Sequence, residues 1–259
     1  MQPSRPQTRP SSTQASGQRS STGEVEPVTL TVVVPVFNEE ATLVDALQAF
    51  RAADVPVPYE IIAVDDGSTD GSLQILDAFA GDRITVVRSD RNRGKGAAVR
   101  TGIELATGTH VLIQDADLEY DPADWSALLT PVLRDGARVV YGSRFLGARS
   151  GMKFANYLAN RSLTLLTKVL FGSGITDMET CFKLVETELL RSLPLTADRF
   201  DFEPQVTALL LRSHETIVEV PVSYHGRTKS AGKKIGFVDG IAAVRMLLRC
   251  YRTPQPADR

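Results

Sequence analysis

Strand-like and helix-like patterns alternate along residues 28–141, and this alternation constrains the fold more than any other feature of the chain. Short β-branched and apolar runs predict buried strands, and longer runs with apolar residues at helical spacing predict helices. The predicted strands are 28–34, 60–64, 83–88, 110–114 and 137–141, and the predicted helices are 41–52, 73–79, 93–106 and 122–133. We expect Pro35 to end the first strand. The alternation predicts an α/β fold with a doubly wound, mostly parallel sheet, flanked by helices and joined by right-handed crossovers.

The chain after residue 141 is less regular. It predicts helices at 154–171, 204–211 and 235–251, a helix ending at Leu193, and short strands at 181–185 and 216–222. We find no internal repeat and expect a single domain over 28–252. Residues 1–27 are rich in Ser, Thr, Gln, Pro and Arg and hold too little apolar surface to offset chain entropy. We therefore expect a disordered tail there and a frayed end at 253–259.

Bulk composition excludes several classes of protein. The net charge of -2 argues against a chain built mainly to bind nucleic acid. Cys181 and Cys250 are far apart in sequence, which indicates a reducing compartment and no disulfide framework. No apolar run approaches the ~18 residues of a membrane span, and no secretory signal opens the chain. We expect a cytoplasmic protein, and no feature of the sequence indicates its oligomeric state.

Polar clusters follow four of the predicted strands. They are residues 35–40 (Pro-Val-Phe-Asn-Glu-Glu), 65–70 (Asp-Asp-Gly-Ser-Thr-Asp), 115–117 (Asp-Ala-Asp) and 142–144 (Gly-Ser-Arg). The carboxyl ends of parallel strands meet at one edge of a sheet, where open α/β proteins bind ligands. We therefore expect the four clusters to face one site.

The Asp115-Ala-Asp117 cluster predicts a metal site. Carboxylates two residues apart past a strand end can both reach one hard cation, and Glu119 has the reach to join them. An isolated Asp-x-Asp is more often a solvated turn or a helix cap, but the three companion clusters favour the metal. All-oxygen ligation indicates Mg²⁺ or Mn²⁺.

The glycines before the third predicted helix do not form a known nucleotide loop. Gly94-Lys-Gly96 lacks the third glycine of the dinucleotide fingerprint and follows the third strand, not the first. The places of a Walker loop hold Ser89 and Gly96, so that interpretation also fails. Lys95 and Arg100 stay candidates for contact with an anionic ligand.

Taken in this order and at this spacing, the four clusters resemble the signature of family 2 glycosyltransferases, which have the Rossmann-like GT-A fold. More narrowly, the chain resembles polyprenol-phosphate sugar synthases of the dolichyl-phosphate mannosyltransferase type. Further matches lie at 177–183, 200–203, 219–222 and 232–236, so the resemblance covers about residues 28–250. It implies a nucleotide-sugar-binding half at 28–145 and an acceptor-binding half at 146–252.

The resemblance also implies roles for individual residues. The donor would be a UDP- or GDP-linked sugar, and similar synthases carry Gln at the place of the metal ligand Glu119. The implied nucleotide-sugar-binding residues are Pro35, Phe37, Glu39, Val64, Asp66, Lys95, Asp115, Ala116, Asp117 and Arg144. The residues expected to act in catalysis are Asp117, Arg144, Glu203 and Arg227.

A cationic, glycine-containing segment near the C-terminus predicts a phosphate-binding loop. Four cations, Arg227, Lys229, Lys233 and Lys234, fall within eight residues that include no acid. The flanking glycines suggest a loop able to close over an anionic substrate. By resemblance, Arg144, Arg227 and either Lys233 or Lys234 hold the acceptor phosphate. The spacing from Arg227 favours one of these two lysines, and the Lys-Ile-Gly context favours the other.

The acceptor decides whether a catalytic base is needed. A hydroxyl must lose a proton, and Glu203 and Asp177 are the candidate bases, although capping and local hydrogen bonding are favoured for both. A phosphate monoester is already ionised, and the cations favour it. We therefore predict metal-dependent, inverting transfer to a polyprenyl phosphate. Transfer to a hydroxyl and nucleotide-sugar binding without turnover are the alternatives.

Two further interpretations concern other classes and the membrane. A nucleotidyltransferase would carry a glycine-rich, basic loop after the first strand, where this chain has residues 35–40. The predicted helix 235–251 combines apolar residues with Arg245, Arg249 and Arg252. Docking on its own core is favoured for this helix. Contact with the cytoplasmic face of a membrane is the functional alternative.

Overall fold

One seven-stranded sheet organises this computed structural model, which describes residues 27–81, 83–226 and 237–253. Its strands are β1 (Leu30–Val36), β2 (Tyr59–Asp65), β3 (Ile84–Arg88), β4 (His110–Ile113), β5 (Val139–Ser143), β7 (Lys183–Glu186) and β8 (Val218–Pro221). A separate pair is formed by β6 (Arg149–Ser150) and β9 (Tyr224–His225). The order across the sheet is β3-β2-β1-β4-β7-β5-β8, and β7 alone of these strands runs antiparallel to its neighbours. The predicted mostly parallel α/β sheet is confirmed.

Helices connect the strands and cover both faces of the sheet. They are α1 (Glu40–Ala52), α2 (Ser72–Phe79), α3 (Lys95–Leu105), α4 (Trp125–Asp135), α5 (Phe154–Phe171), α6 (Thr187–Ser192), α7 (Phe202–Arg212) and α8 (Phe237–Arg252). Alternate side chains of β2 enter two different clusters. Ile62 and Val64 pack with Ala98 of α3, and Ile61 and Ala63 join the main core. This alternation is the period-two pattern of a strand buried on both faces.

The prediction that Pro35 ends the first strand is wrong. Pro35 lies inside β1 and pairs with Val64 of β2. Val33 accepts a backbone hydrogen bond from Gln114, so odd-numbered residues of β1 point their backbone groups toward β4. The pairing of β1 with β4 ends at Val33 and Ile113. Pro35 is tolerated inside β1 because its missing N–H faces the β4 side of the strand, beyond the last residue of β1 that pairs with β4.

The other predicted boundaries of strands and helices agree closely with those in the structure, and α5 begins and ends at the predicted residues. The short strands β6 and β9 were not predicted, because two residues each are too few to show a pattern. β7 comes from the second half of the chain and lies between β4 and β5 of the first half. The division into donor and acceptor halves stays a prediction.

Parts of the chain with predicted features lie outside the described residues. They include almost all of the tails at 1–27 and 253–259 and the cationic segment with Arg227, Lys229, Lys233 and Lys234. Within the described ranges, every helix is too short or too polar to span a lipid bilayer.

Candidate active site

The loops after β1 and β2 are joined by hydrogen bonds. The Asn38 amide N–H donates to Ser68 Oγ at 3.0 Å, and the Thr69 N–H donates to Asn38 Oδ1 at 2.8 Å. Glu40 Oε2 accepts from the Gly71 N–H at 2.6 Å. Asn38 has a φ of 52°, a left-handed conformation that asparagine adopts more readily than most residues. The first two polar clusters are therefore held together at the same edge of the sheet.

Asp66 fixes the start of α3. Its carboxylate is buried and accepts from the Arg93 N–H at 2.9 Å and the Gly94 N–H at 2.7 Å. These bonds tie the end of β2 to the loop that presents Lys95. Nucleoside binding by Asp66 stays a prediction. Asp70 Oδ1 accepts from the N–H of Ser72, the first residue of α2, at 3.0 Å.

Lys95 joins two predicted site residues from distant parts of the chain. Its Nζ lies 2.7 Å from Asp115 Oδ1 and 2.8 Å from Glu203 Oε1. Burial acts to lower the pKa of Lys95, but the negative charges of the Asp115 and Glu203 carboxylates outweigh it and raise that pKa well above its usual value. Lys95 is therefore a fixed ammonium group. Among the described residues, the second Glu203 oxygen has no hydrogen-bond partner.

Each of the three predicted metal ligands forms a hydrogen bond or an ion pair with another group of the chain. Asp115 pairs with Lys95, and Asp117 Oδ1 accepts from the Glu119 N–H at 3.0 Å. Glu119 Oε2 accepts from the Tyr224 hydroxyl at 2.8 Å, which ties it to β9. In the described part of the chain, no three His, Cys, Asp or Glu side chains are grouped so that they could hold a metal ion. The three predicted ligands are therefore not assembled into one set, and their metal binding stays a prediction.

The carboxylate oxygens of Asp115 and Asp117 are still suitable ligands for a divalent cation. Mg²⁺ is commonly held by one or two carboxylates, with substrate phosphates and waters as its other ligands. Two carboxylates on the loop after β4 meet that requirement without a third. Glu119 is engaged with Tyr224 and is the least suited of the three.

Arg144 forms a buried ion pair. Its Nε and Nη2 donate to Asp177 Oδ2 and Oδ1, each at 2.7 Å, and its backbone N–H donates to Oδ2 at 3.0 Å. Arg144 is 6% exposed and Asp177 is 0% exposed. Both Asp177 oxygens are occupied, which agrees with local hydrogen bonding and argues against a catalytic base. Phosphate contact by Arg144 stays a prediction.

Two charged side chains near Glu203, the buried Lys183 and the half-buried Glu179, were not singled out in the sequence. Lys183 is 0% exposed, and its Nζ donates to the carbonyl oxygens of Met178, at 3.0 Å, and Thr180. Burial lowers the pKa of Lys183 to about 8, against the opposing effect of Glu203 and Glu179. Burial also raises the pKa of Glu179 to about 7, and Glu203 adds to that shift. A lysine between Phe182 and Leu184 in a buried strand was the available signal.

The other predicted donor residues lie at the same edge or beside it. Pro35 and Val64 are register partners in β1 and β2, and Ala116 is buried at 3% exposure between the two aspartates. Phe37 and Glu39 are partly buried in the loop after β1. The segment with Arg227, Lys233 and Lys234 follows β9, whose Tyr224 contacts Glu119.

Comparison with curated proteins identifies relatives over most of the chain. Dodecaprenyl-phosphate galacturonate synthase of Rhizobium johnstonii is 28% identical over 223 residues, which cover 83% of this chain and 64% of that protein. Dolichyl-phosphate beta-glucosyltransferase of Dictyostelium discoideum is 27% identical over 236 residues, with 82% and 70% covered. The chain therefore spans less than two thirds of the length of the first of these relatives.

Solved structures share the fold. Glucosyl-3-phosphoglycerate synthase from Mycobacterium tuberculosis, solved in complex with Mn²⁺, UDP and glucosyl-3-phosphoglycerate, has a TM-score of 0.67 and 22% identity, covering 88% of this chain and 81% of that one. Mannosyl-3-phosphoglycerate synthase from Rubrobacter xylanophilus has a TM-score of 0.70 and 21% identity, with 87% and 74% covered. These likenesses confirm the predicted GT-A fold.

A family model covers the chain from β1 to the end of α6. The model described as glycosyl transferase family 2 matches residues 31–193, which is more than half of the 259 residues. The match includes Asp66, Asp117 and Arg144. The chain belongs to glycosyl transferase family 2.

Proposed function

We propose that this protein transfers a sugar from a nucleoside-diphosphate sugar to a polyprenyl phosphate, with inversion at the anomeric carbon. The observation that carries the proposal is the convergence of charged groups at one edge of the sheet. Asp115 and Asp117 follow β4, Lys95 opens α3, and the Arg144–Asp177 pair follows β5. The family and the names of its relatives, which act on dodecaprenyl and dolichyl phosphates, support the same reaction class.

The donor would bind at the ends of β1, β2 and β4. Pro35, Phe37, Glu39 and Asp66 would surround the nucleoside. A related fold was solved with UDP and Mn²⁺, and also with UDP and Mg²⁺, so UDP is the first nucleotide to test and GDP the second. Asp66 would contact the nucleoside only with the electron pairs that its bonds to Arg93 and Gly94 leave available.

Asp117, with Asp115, would hold Mg²⁺ or Mn²⁺ against the diphosphate. The cation supplies Lewis-acid neutralisation of the charge that develops on the departing diphosphate. Lys95 keeps a permanent positive charge 2.7 Å from Asp115, which limits the net negative charge of this edge and attracts an anionic donor. Glu203 positions Lys95 through its contact at 2.8 Å.

The state of the two candidate bases favours a phosphate acceptor over a hydroxyl. Asp177 has both oxygens bound to Arg144, and Glu203 has one oxygen bound to Lys95. An oxygen that already accepts from a cation is not available to take a proton, so Asp177 has no oxygen for that role and Glu203 has one. An ionised phosphate needs no base, and Arg227 with Lys233 or Lys234 would hold it in place.

The test is transfer of label from UDP- and GDP-sugars in the presence of polyprenyl phosphate, followed by organic extraction. We expect label in the organic phase, loss of that label with EDTA, and recovery on addition of Mn²⁺ or Mg²⁺. Label found only in water-soluble products would contradict the lipid acceptor. Organic-phase label that survives EDTA would contradict the metal.

A further inference from the structure

Large exposed apolar side chains are concentrated on two helices. Among the described residues, seven of the eleven belong to α5 and α8. They are Phe154, Leu158, Leu165 and Val169 on α5, and Val238, Ile241 and Tyr251 on α8. Phe154 is 77% exposed and Val169 is 74% exposed, so these side chains are open to solvent and do not pack on the core. Exposed apolar side chains gathered on two helices that pack together indicate an interaction surface.

The four exposed residues of α5 lie on one side of that helix. At 3.6 residues per turn they fall within an arc of about 60°. The helix α5 packs against α8, and the rings of Phe171 and Tyr251 at their C-terminal ends are 6.0 Å apart. We call the exposed sides of these two helices the α5–α8 face.

The charges of the α5–α8 face are almost all positive. Helix α5 contains no acidic residue, and α8 contains one, Asp239. The cations on or next to the two helices are Lys153, Arg161, Lys168, Arg245, Arg249 and Arg252. Apolar side chains bordered by cations match the surface of an anionic bilayer. The apolar side chains can enter the acyl boundary, and the cations are attracted to the anionic head groups.

We propose that the α5–α8 face docks this protein on an anionic lipid bilayer. A second copy of the chain fits this face less well, because a symmetric pairing would bring two cationic surfaces together without acids to offset them. The apolar side chains would enter the head-group boundary while the cations contact lipid phosphates. Docking of this kind needs no membrane-spanning helix.

An open depression lies where the first turn of α5 meets β6. It measures about 310 Å³ and is lined by Arg149, Met152, Phe154 and Tyr157. Arg149 lies in β6, which pairs with β9, and Tyr224 of β9 donates its hydroxyl to Glu119. This link between docking and catalysis rests on the proposed function: docking would bring lipid phosphates close to the loop that carries Asp115 and Asp117.

The experiment is flotation of the full chain, without donor, on phosphatidylcholine vesicles and on vesicles that also contain phosphatidylglycerol. We expect binding to the anionic vesicles, weakened by salt, and little binding to phosphatidylcholine alone. The double variant Leu165→Ser/Val169→Ser should bind at least about tenfold more weakly, since each change removes apolar surface that would enter the bilayer. The matched control is Leu105→Ser/Leu133→Ser, which alters exposed leucines of α3 and α4 and should bind within about twofold of wild type.

Three results would overturn the proposal. They are equal binding to neutral and anionic vesicles, equal losses in the two double variants, and absence of vesicle binding by a wild-type dimer that the α5 variant dissociates. Transfer to a short-chain polyprenyl phosphate dispersed in detergent is measured separately. Failure of that transfer contradicts the proposed function alone, and failure of flotation contradicts the docking alone.

Discussion

The sheet edge that carries the proposed site, at the ends of β1, β2, β4 and β5, uses charge in the opposite way to the α5–α8 face. At the edge, charged groups are buried or half-buried and paired, as in Lys95 with Asp115 and Glu203 and in Arg144 with Asp177. On the α5–α8 face, cations are exposed beside apolar side chains with almost no acids. Buried pairs fix the positions of their members, whereas exposed charges of one sign attract a partner. Substitutions should therefore have large effects on chemistry and stability at the edge and small effects on stability at the face.

The largest effect is expected from Asp117→Ala. Loss of the carboxylate that we propose as the principal metal ligand should lower sugar transfer by at least about 10³-fold, because the departing diphosphate would lose its neutralising cation. The melting temperature should stay within a few degrees of wild type. The control Asp135→Ala removes an exposed carboxylate at the end of α4 and should leave transfer unchanged. A fully active Asp117→Ala protein would remove the metal site from the account.

The next effect concerns the buried Arg144–Asp177 pair. Asp177→Asn leaves a buried guanidinium without its counter-charge and should lower the free energy of unfolding by about 3 kcal/mol. The matched control is Glu188→Gln, which breaks the exposed pair with Arg191 and should cost less than about 0.5 kcal/mol. Urea unfolding measures both. Similar losses in the two variants would show that burial does not distinguish these pairs.

A smaller effect is expected from Glu179, whose pKa is raised from 4.5 to about 7. The folded state then binds more protons than the unfolded state between these values, so this carboxyl contributes stability at low pH that is lost as pH rises from about 4.5 to 7. Glu179→Gln should flatten that decline and make the variant more stable than wild type at pH 8, by on the order of 1 to 3 kcal/mol. Parallel stability curves for the two proteins across this range would contradict the assignment.

The smallest effect is expected from a single cation of the α5–α8 face. Arg245→Gln should weaken binding to anionic vesicles about fivefold, since one basic residue near such a surface contributes about 1 kcal/mol. Unfolding in urea should be unchanged. A loss of stability without a loss of vesicle binding would assign Arg245 to the fold and not to the face.

Much of the fold followed from local patterns, and the failures have physical reasons. The period-two and helical patterns placed most of the elements, including both ends of α5. Pro35 was misplaced because its effect depends on which neighbour its missing N–H faces, and only the sheet determines that. The insertion of β7 between β4 and β5 depends on long-range pairing that a four-residue strand does not signal.

The strand-end positions of Asp115, Asp117 and Arg144 could be predicted from the sequence, but the ion pairs of Asp115 and Arg144 could not. Strand-end position indicated Asp115, Asp117 and Arg144. The partners of Asp115 and Arg144, which are Lys95 and Asp177, come from other parts of the chain, and no spacing rule connects them. Residue type and strand-end position therefore indicated which charged side chains lie at this edge of the sheet. The structure was needed to show which of them form ion pairs.

The central claim is that the acceptor is an ionised phosphate held at this edge, so that no base is required. The most direct measurement offers the wild-type protein polyprenyl phosphate and the corresponding polyprenol, with the same labelled nucleotide sugar and Mn²⁺. We predict organic-phase label with polyprenyl phosphate and none above background with polyprenol. Comparable labelling of polyprenol would contradict the account, because transfer to a hydroxyl requires a base that takes its proton.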